Sequence, residues 1–232
     1  MDFVLYILAI IAMIFSIWAQ LKVKSTFNKY SMVKTVNGKT AAQVAEMILS
    51  RADVNNVKIE RVRGSLTDHF DPRTNTLRLS DDVYDSCSAA AIGVAAHEAG
   101  HAIQHAVGYL PIKIRMSLVP VASFASRFTW LLIMAGILMM SVVEYGIGYY
   151  VMLFGIGLFS VVTLFELVTL PCEFNASRRA MEALENSGWY HNEELTASRK
   201  VLTAAALTYV AALATSVIQL LRLLSRVNNR RR

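Results

Sequence analysis

The chain has 232 residues, of which 55% are hydrophobic and 17% are charged, and its formal net charge is +6. So apolar a composition is unusual for a soluble domain of this length, and it favours an integral membrane protein with one modest polar domain. The lysines and arginines stand beside apolar segments, so the positive charge is better explained by membrane flanks than by nucleic-acid binding. We therefore predict no nucleic-acid partner.

The first predicted element is a membrane anchor over residues 1–21. Its apolar run, 3–19, carries no charge and is at the short end of what spans a bilayer. Only Asp2 precedes the run, whereas a cleaved signal peptide has positive charge there, so we predict an uncleaved anchor. Lysines follow at once, at Lys22, Lys24, Lys29 and Lys34. Positive charge marks the cytoplasmic side, so we expect the N-terminus outside and the polar region 22–116 in the cytoplasm.

The polar region begins with a short amphipathic helix, predicted over residues 40–51, and a half-buried strand over 56–62. Residues 67–70 and 76–80, joined by turn residues, predict a β-hairpin. A long helix, predicted over 82–108, follows directly. The edge of the hairpin could hold an extended peptide by adding it to the sheet.

This long helix carries the motif His97-Glu98-Ala99-Gly100-His101. Residues four apart share one helical face, so His97 and His101 can both direct an imidazole nitrogen at one zinc ion. Glu98 lies beside the metal rather than on it, where a carboxylate can take a proton from water whose pKa zinc lowers to about 7. The motif therefore predicts a metal site with two histidine ligands and Glu98 as the catalytic base.

A catalytic zinc site needs a third protein ligand. His105 shares the helical face, but it lies two turns from His97, about 12 Å along the axis, too far for a straight helix to close on one ion. The pattern H-E-x-x-H-x-x-G-x-x-H breaks the helix at a glycine, a position that Gln104 occupies here. Glu173, in the first turn of a helix predicted to begin at Pro171, is the better candidate. We therefore expect one Zn²⁺ per chain on His97, His101 and Glu173.

Residues 117–170 contain two apolar runs, which predict a transmembrane hairpin. The loop between the runs, 144–148, has no basic residue and is expected outside. The hairpin returns the chain to the cytoplasmic side, where residues 171–200 form the helix that carries Glu173. The site would then be assembled at the membrane surface.

Residues 201–232 consist of an apolar run, 201–221, and a basic tail. Basic residues flank the run on both sides, so it either spans the membrane or packs over the catalytic region. Tyr209 in this run is able to hydrogen-bond an oxyanion, as a catalytic residue would, although a buried structural tyrosine is favoured.

Three motifs together resemble the YugP-type neutral zinc metallopeptidases, which are bacterial membrane proteins. They are His97-Glu98-Ala99-Gly100-His101, Glu173-Phe174-Asn175-Ala176-Ser177 and Asp68-His69-Phe70-Asp71-Pro72, and the match runs over most of the chain. The chain is more distantly similar to the membrane gluzincins HtpX and the CAAX prenyl endopeptidases, in which the third ligand is the Glu of a Glu-x-x-Ala-Asp motif. Ser177 stands where that Asp is usual, so a role of the Asp toward a zinc-bound histidine does not carry over. For Asp68, His69 and Asp71, turn formation and the orientation of a metal ligand stay open.

The expected fold is mainly α and integral to the membrane, with a gluzincin-like zinc helix, a small β-hairpin or sheet and three to four transmembrane helices. The expected function is that of a zinc endopeptidase in the plasma membrane, with its active site facing the cytoplasm and with membrane-associated polypeptides as substrates. The alternative is a catalytically inactive zinc-binding membrane scaffold or adaptor, although structural zinc sites are usually rich in cysteine and no such set exists. A homo-oligomer or a regulatory membrane partner stays open.

Overall fold

The computed structural model describes residues 2–142 and 145–229. Within these residues the chain forms six helices: α1 Asp2–Tyr30, α2 Ala41–Arg51, α3 Ala89–Ala106, α4 Leu110–Val142, α5 Tyr145–Ser187 and α6 Asn192–Asn229. Three short strands complete it: β1 Lys58–Val62, β2 His69–Asp71 and β3 Thr76–Ser80. The predicted mainly α fold with a small sheet is confirmed. Glu144 of the predicted loop and Arg230 to Arg232 of the predicted basic tail lie outside the described residues.

Four of the helices, α1, α4, α5 and α6, are long and apolar enough to cross a membrane. Four is the upper end of the predicted three to four transmembrane helices. The apolar run 201–221 lies inside α6, one of these four helices. α5 has 43 residues, which corresponds to about 65 Å of helix, whereas the hydrocarbon core of a bilayer is about 30 Å thick. Such a helix has length for a membrane span and for a polar continuation beyond it.

The chain divides into two compact units. The first unit comprises Met1–Trp18, Ile114–Leu170 and Tyr209–Arg232, and the second comprises Ala19–Lys113 and Pro171–Thr208. In the first unit α4 and α5 form a close hairpin. A Cβ built on Gly136 would lie 2.5 Å from the Met152 backbone nitrogen, and one built on Gly148 would lie 2.5 Å from that of Met140. Small residues of this kind let transmembrane helices approach until their backbones touch.

The second unit is built on a three-stranded sheet with the order β1-β3-β2. β1 runs parallel to β3, and β2 is antiparallel to it. The central strand is the most buried, with Leu77 and Leu79 fully enclosed. These leucines join the core formed by α2, α3 and the parts of α5 and α6 that belong to this unit. β2 is left as an edge strand beside α3.

Three local predictions differ from the structure. α3 begins at Ala89 instead of near Asp82, because Ser88 caps the helix by accepting a hydrogen bond from the Ala91 N–H at 3.3 Å. α5 runs through Pro171, which therefore does not start a helix; proline is tolerated within membrane helices when neighbouring groups compensate for the missing donor. Of the predicted loop, 145–148 is helical, and Gly148 serves the close approach of α4 and α5 rather than a turn.

Candidate metal centre

α3 and α5 meet at a glycine inside the histidine motif. A Cβ built on Gly100 would lie only 2.7 Å from the Ala176 carbonyl oxygen and 3.3 Å from its Cα. The facing residues of α5, Cys172, Ala176 and Ala180, are small and fully buried. Small residues on both sides allow the two backbones to touch, which brings Glu173 of α5 next to the histidines of α3.

His97, His101 and Glu173 form a compact group whose potential ligand atoms all lie within 4.8 Å of one another. Glu173 Oε2 is 3.2 Å from His97 Nε2 and 3.5 Å from His101 Nε2. Ligands held about 2.1 Å from a tetrahedral zinc ion are about 3.4 Å apart, so the observed spacing fits Zn²⁺. Two imidazoles and one carboxylate are also a ligand set found in catalytic zinc sites.

The outer ring nitrogens of both histidines have hydrogen-bond partners that leave Nε2 facing Glu173. His97 Nδ1 is 3.1 Å from the Ser177 hydroxyl, and His101 Nδ1 is 3.0 Å from Gln104 Oε1. When Nε2 binds a metal, Nδ1 carries the ring proton and donates it to these oxygens. Such contacts fix the ring orientation and raise the basicity of the ligand.

Gln104 is itself held in place by α5. Its Nε2 group donates to the Cys172 carbonyl oxygen at 2.8 Å and to Asn175 Oδ1 at 3.0 Å. Both donor hydrogens are thereby used on α5, and the amide oxygen is directed toward His101. Arg179 Nε donates to the same Asn175 oxygen at 2.9 Å and extends the network. The side chain of Gln104 is fully buried, so this orientation is set by the protein and not by solvent.

Glu98 lies next to His97 in the sequence but points to the sheet instead of joining the metal group. Its Oε2 accepts a hydrogen bond of 3.0 Å from the backbone N–H of Phe70, on the edge strand β2. Burial raises the pKa of Glu98 to about 7, although the neighbouring His97 opposes the shift. The arrangement leaves the second carboxylate oxygen available to a reacting group between α3 and β2.

The acidic residues before the zinc helix stabilise the hairpin. Asp68 accepts hydrogen bonds from the Ser80 N–H at 2.7 Å and the Ser80 hydroxyl at 2.9 Å, and burial raises its pKa. Asp71 accepts hydrogen bonds from the Thr74 hydroxyl and the Arg73 N–H, which lower its pKa to about 2. His69 Nδ1 lies 2.8 Å from the Thr67 carbonyl oxygen. These contacts favour turn formation over the orientation of a metal ligand.

Two other candidates stand apart from the metal group. His105 was predicted not to be a ligand, and the metal group does not include it. Its ring lies instead beside Phe70, with the two ring centroids 5.8 Å apart. Tyr209 belongs to the first unit, and its contact with an oxyanion stays a prediction.

Sequence reasoning missed two residues that contact the metal group. Ser177 replaces the usual aspartate and so carries no predicted role, yet its hydroxyl lies within hydrogen-bonding distance of His97. Its position four residues after Glu173, on the same helical face, was the available signal. Gln104 was considered only as the position where a glycine is missing, although it lies three residues after His101.

The chain matches the family described as "Putative neutral zinc metallopeptidase" over residues 5–228. It is 46% identical over 215 residues to the "Putative membrane protease YugP" of Bacillus subtilis (strain 168), an alignment that covers 93% of this chain and 92% of the relative. No solved structure gives a significant match. With the four candidate spans and a ligand group that fits Zn²⁺, these matches confirm the resemblance seen in the sequence motifs. The chain belongs to the neutral zinc metallopeptidase family, as a membrane metalloprotease with Zn²⁺ as its cofactor.

Proposed function

We propose that the protein is an endopeptidase in which His97, His101 and Glu173 hold Zn²⁺ and Glu98 is the catalytic base. The observation that supports this most directly is the convergence of two Nε2 atoms on one Glu173 oxygen, at 3.2 and 3.5 Å. Glu98 is adjacent to this group but outside it. When bound, Zn²⁺ polarises the scissile carbonyl group and makes a water molecule more acidic.

The role of Glu98 is to move one proton. The Phe70 N–H holds Oε2 of Glu98, so Oε1 is the oxygen that accepts the proton of the attacking water. The same carboxyl group then delivers this proton to the amine that leaves when the peptide bond breaks. Ser177 and Gln104 keep the two imidazoles in one orientation while this occurs.

The edge strand β2 is the proposed platform for the substrate. The Phe70 N–H points to Glu98 and therefore away from β3, so the outer edge of β2 faces the catalytic carboxylate. An extended polypeptide placed along this edge would present a peptide bond to Glu98. Only an unfolded or loosely folded segment can adopt that conformation, which favours such segments of membrane-associated proteins as substrates.

We place the active site on the cytoplasmic side of the plasma membrane. Lys22, Lys24, Lys29 and Lys34 follow the apolar part of α1, and lysines in such a position favour the cytoplasm. Tyr209 is the proposed donor to the oxyanion that forms on the substrate carbonyl.

The substitution Glu98→Gln separates an enzyme from an inactive scaffold. The variant should hold as much zinc as the wild type and lose about 10²- to 10⁴-fold in turnover, because an amide cannot act as the base. Metal analysis of both purified proteins and proteomics of membranes from cells that express each one measure the two quantities. Glu193→Gln is the matched control, since Glu193 is an exposed carboxylate at the start of α6. Identical peptide patterns for wild type and Glu98→Gln, with zinc bound in both, would refute the proposed mechanism.

A further inference from the structure

A cavity of about 360 Å³ lies within the first unit, between α4, α5 and α6. Its walls are largely apolar and include Ile133 and Ile137 of α4 and Met152 and Ile156 of α5. Gln219 and Arg226 of α6 supply its polar lining. A water molecule takes about 30 Å³ of liquid volume. The cavity therefore has room for a mostly apolar molecule much larger than water.

Two arginines of α6 gather around one tyrosine of α1, and one of them, Arg226, also lines this cavity. The guanidinium carbon of Arg222 lies 4.3 Å from the centroid of the Tyr6 ring, and that of Arg226 lies 5.6 Å from it. Arg226 also donates a hydrogen bond to the Tyr6 hydroxyl. In the part of the chain that the structure describes, these two arginines form no ion pair with a carboxylate. Two cations that stack on one aromatic ring leave a net positive site that an anion can neutralise.

The donors of Arg222 are only partly used. Its Nη1 donates to Gln219 Oε1 at 2.8 Å, whereas its Nε is buried and has no hydrogen-bond partner among the described residues. A buried guanidinium donor without a partner is costly, and a bound acceptor would remove that cost.

The cluster lies at one end of the helices. α1 and α6 run antiparallel within the first unit, because Ser16 contacts Thr215 whereas Tyr6 contacts Arg226. The arginines are therefore level with the beginning of α1. Tyrosine and arginine are typical of the headgroup depth of a bilayer. Gln219 lies about two turns, or about 10 Å, further toward the bilayer centre.

We propose that this cavity binds one anionic phospholipid, with its phosphate on Arg222 and Arg226 and part of an acyl chain against the isoleucines. Guanidinium groups form bidentate, charge-assisted hydrogen bonds with phosphate, whatever the membrane face on which the phosphate lies. A transmembrane helix of a substrate, about 10 Å across, is too wide for a space of this size. The lipid would join α1, α4, α5 and α6 at the membrane face from which the N-terminus emerges.

Native mass spectrometry of the full chain tests this proposal. The delipidated protein is titrated with phosphatidylglycerol and with phosphatidylcholine of the same acyl chains. We expect one phosphatidylglycerol to bind preferentially, and the double variant Arg222→Gln, Arg226→Gln to weaken its binding by about ten- to thirtyfold, since each basic residue near the surface contributes on the order of 1 kcal/mol. Ile133→Trp, which fills the apolar part of the cavity, should also weaken binding although it removes no charge.

Arg127→Gln is the matched control, because Arg127 is an exposed arginine of the same unit that neither lines the cavity nor stacks on Tyr6. It should bind phosphatidylglycerol as the wild type does. Equal affinity for the two lipids, unchanged binding by the double variant, or an equal loss with Arg127→Gln would overturn the proposal. Glycerol phosphate without acyl chains should not compete, and full competition by it would mean that the ligand is a soluble phosphate compound. All these measurements report binding, so their outcome is independent of the proteolytic activity.

Discussion

Replacing Gly100 with alanine should weaken zinc binding while the helices stay formed. The added Cβ would lie 2.7 Å from the Ala176 carbonyl oxygen, whereas ordinary van der Waals contact begins at 3.4 Å. α3 and α5 must then separate locally by about 0.7 Å, because backbone cannot rotate aside as a side chain can. Glu173 is one turn from Ala176, so it moves with the helix. Its distances to the two Nε2 atoms, 3.2 and 3.5 Å, would grow to about 3.9 and 4.2 Å.

Metal sites tolerate deviations of about 0.2 Å in their ligand distances, so we expect zinc affinity to fall by about 10- to 100-fold. Alanine is the better helix former by up to about 1 kcal/mol, whereas extra volume in a packed interface costs about 1–3 kcal/mol, so the metal-free protein should keep its helix content with a modestly lower Tm. Competition with a chelator of known affinity measures the zinc affinity, and circular dichroism measures the fold.

Gly157→Ala is the control for this prediction. Gly157 is a glycine of α5 with no atom within 4 Å of its built Cβ. Its replacement should leave zinc affinity unchanged. Wild-type affinity in Gly100→Ala, with the helix content preserved, would show that the close approach at Ala176 does not position Glu173 for zinc binding.

Three further results are expected. Ser177→Ala removes the partner of His97 Nδ1 and should lower zinc affinity by about 10- to 100-fold, whereas Ser177→Asp should retain it, as a chelator titration will show. Tyr209→Phe should lower kcat by about 10²- to 10³-fold with unchanged zinc content if its hydroxyl binds the oxyanion, and an unchanged kcat would exclude that role. Asp71 has a pKa lowered from 3.8 to about 2, so its hairpin contacts stabilise the folded state above pH 3.8 and lose this effect as the pH falls toward 2. The Tm difference between wild type and Asp71→Asn should shrink over that interval, and a constant difference would contradict the assignment.

The pairing of His97 and His101 was predictable because it follows a local rule. The spacing of His97 and His101 places both rings on one helical face whatever the rest of the chain does. Glu173 required a longer inference, since only a hairpin that returns the chain to the same side brings it near. The structure places its carboxylate within 3.5 Å of both rings.

The errors arose where tertiary contacts replaced a local preference. Pro171 and the glycines at 146 and 148 have the usual signs of a helix start and a loop, yet all three lie inside α5. Neighbouring helices in a membrane compensate for the local cost of such residues, and this compensation cannot be read from a short segment. Ser177 was underestimated for a related reason. A hydroxyl can replace a carboxylate as a hydrogen-bond acceptor once the backbone is close enough, and that closeness depends on Gly100.

The continuity of α5 has a consequence for the order of biogenesis. His97 and His101 leave the ribosome before the hairpin is made, whereas Glu173 emerges only after the apolar part of α5, about two thirds of the way along this unbroken 43-residue helix. A nascent chain therefore lacks Glu173, one of the three proposed ligands, until this part of α5 has been synthesised. Metal acquisition becomes a late event in maturation, and chains stalled in the cytosol would remain without hydrolytic activity.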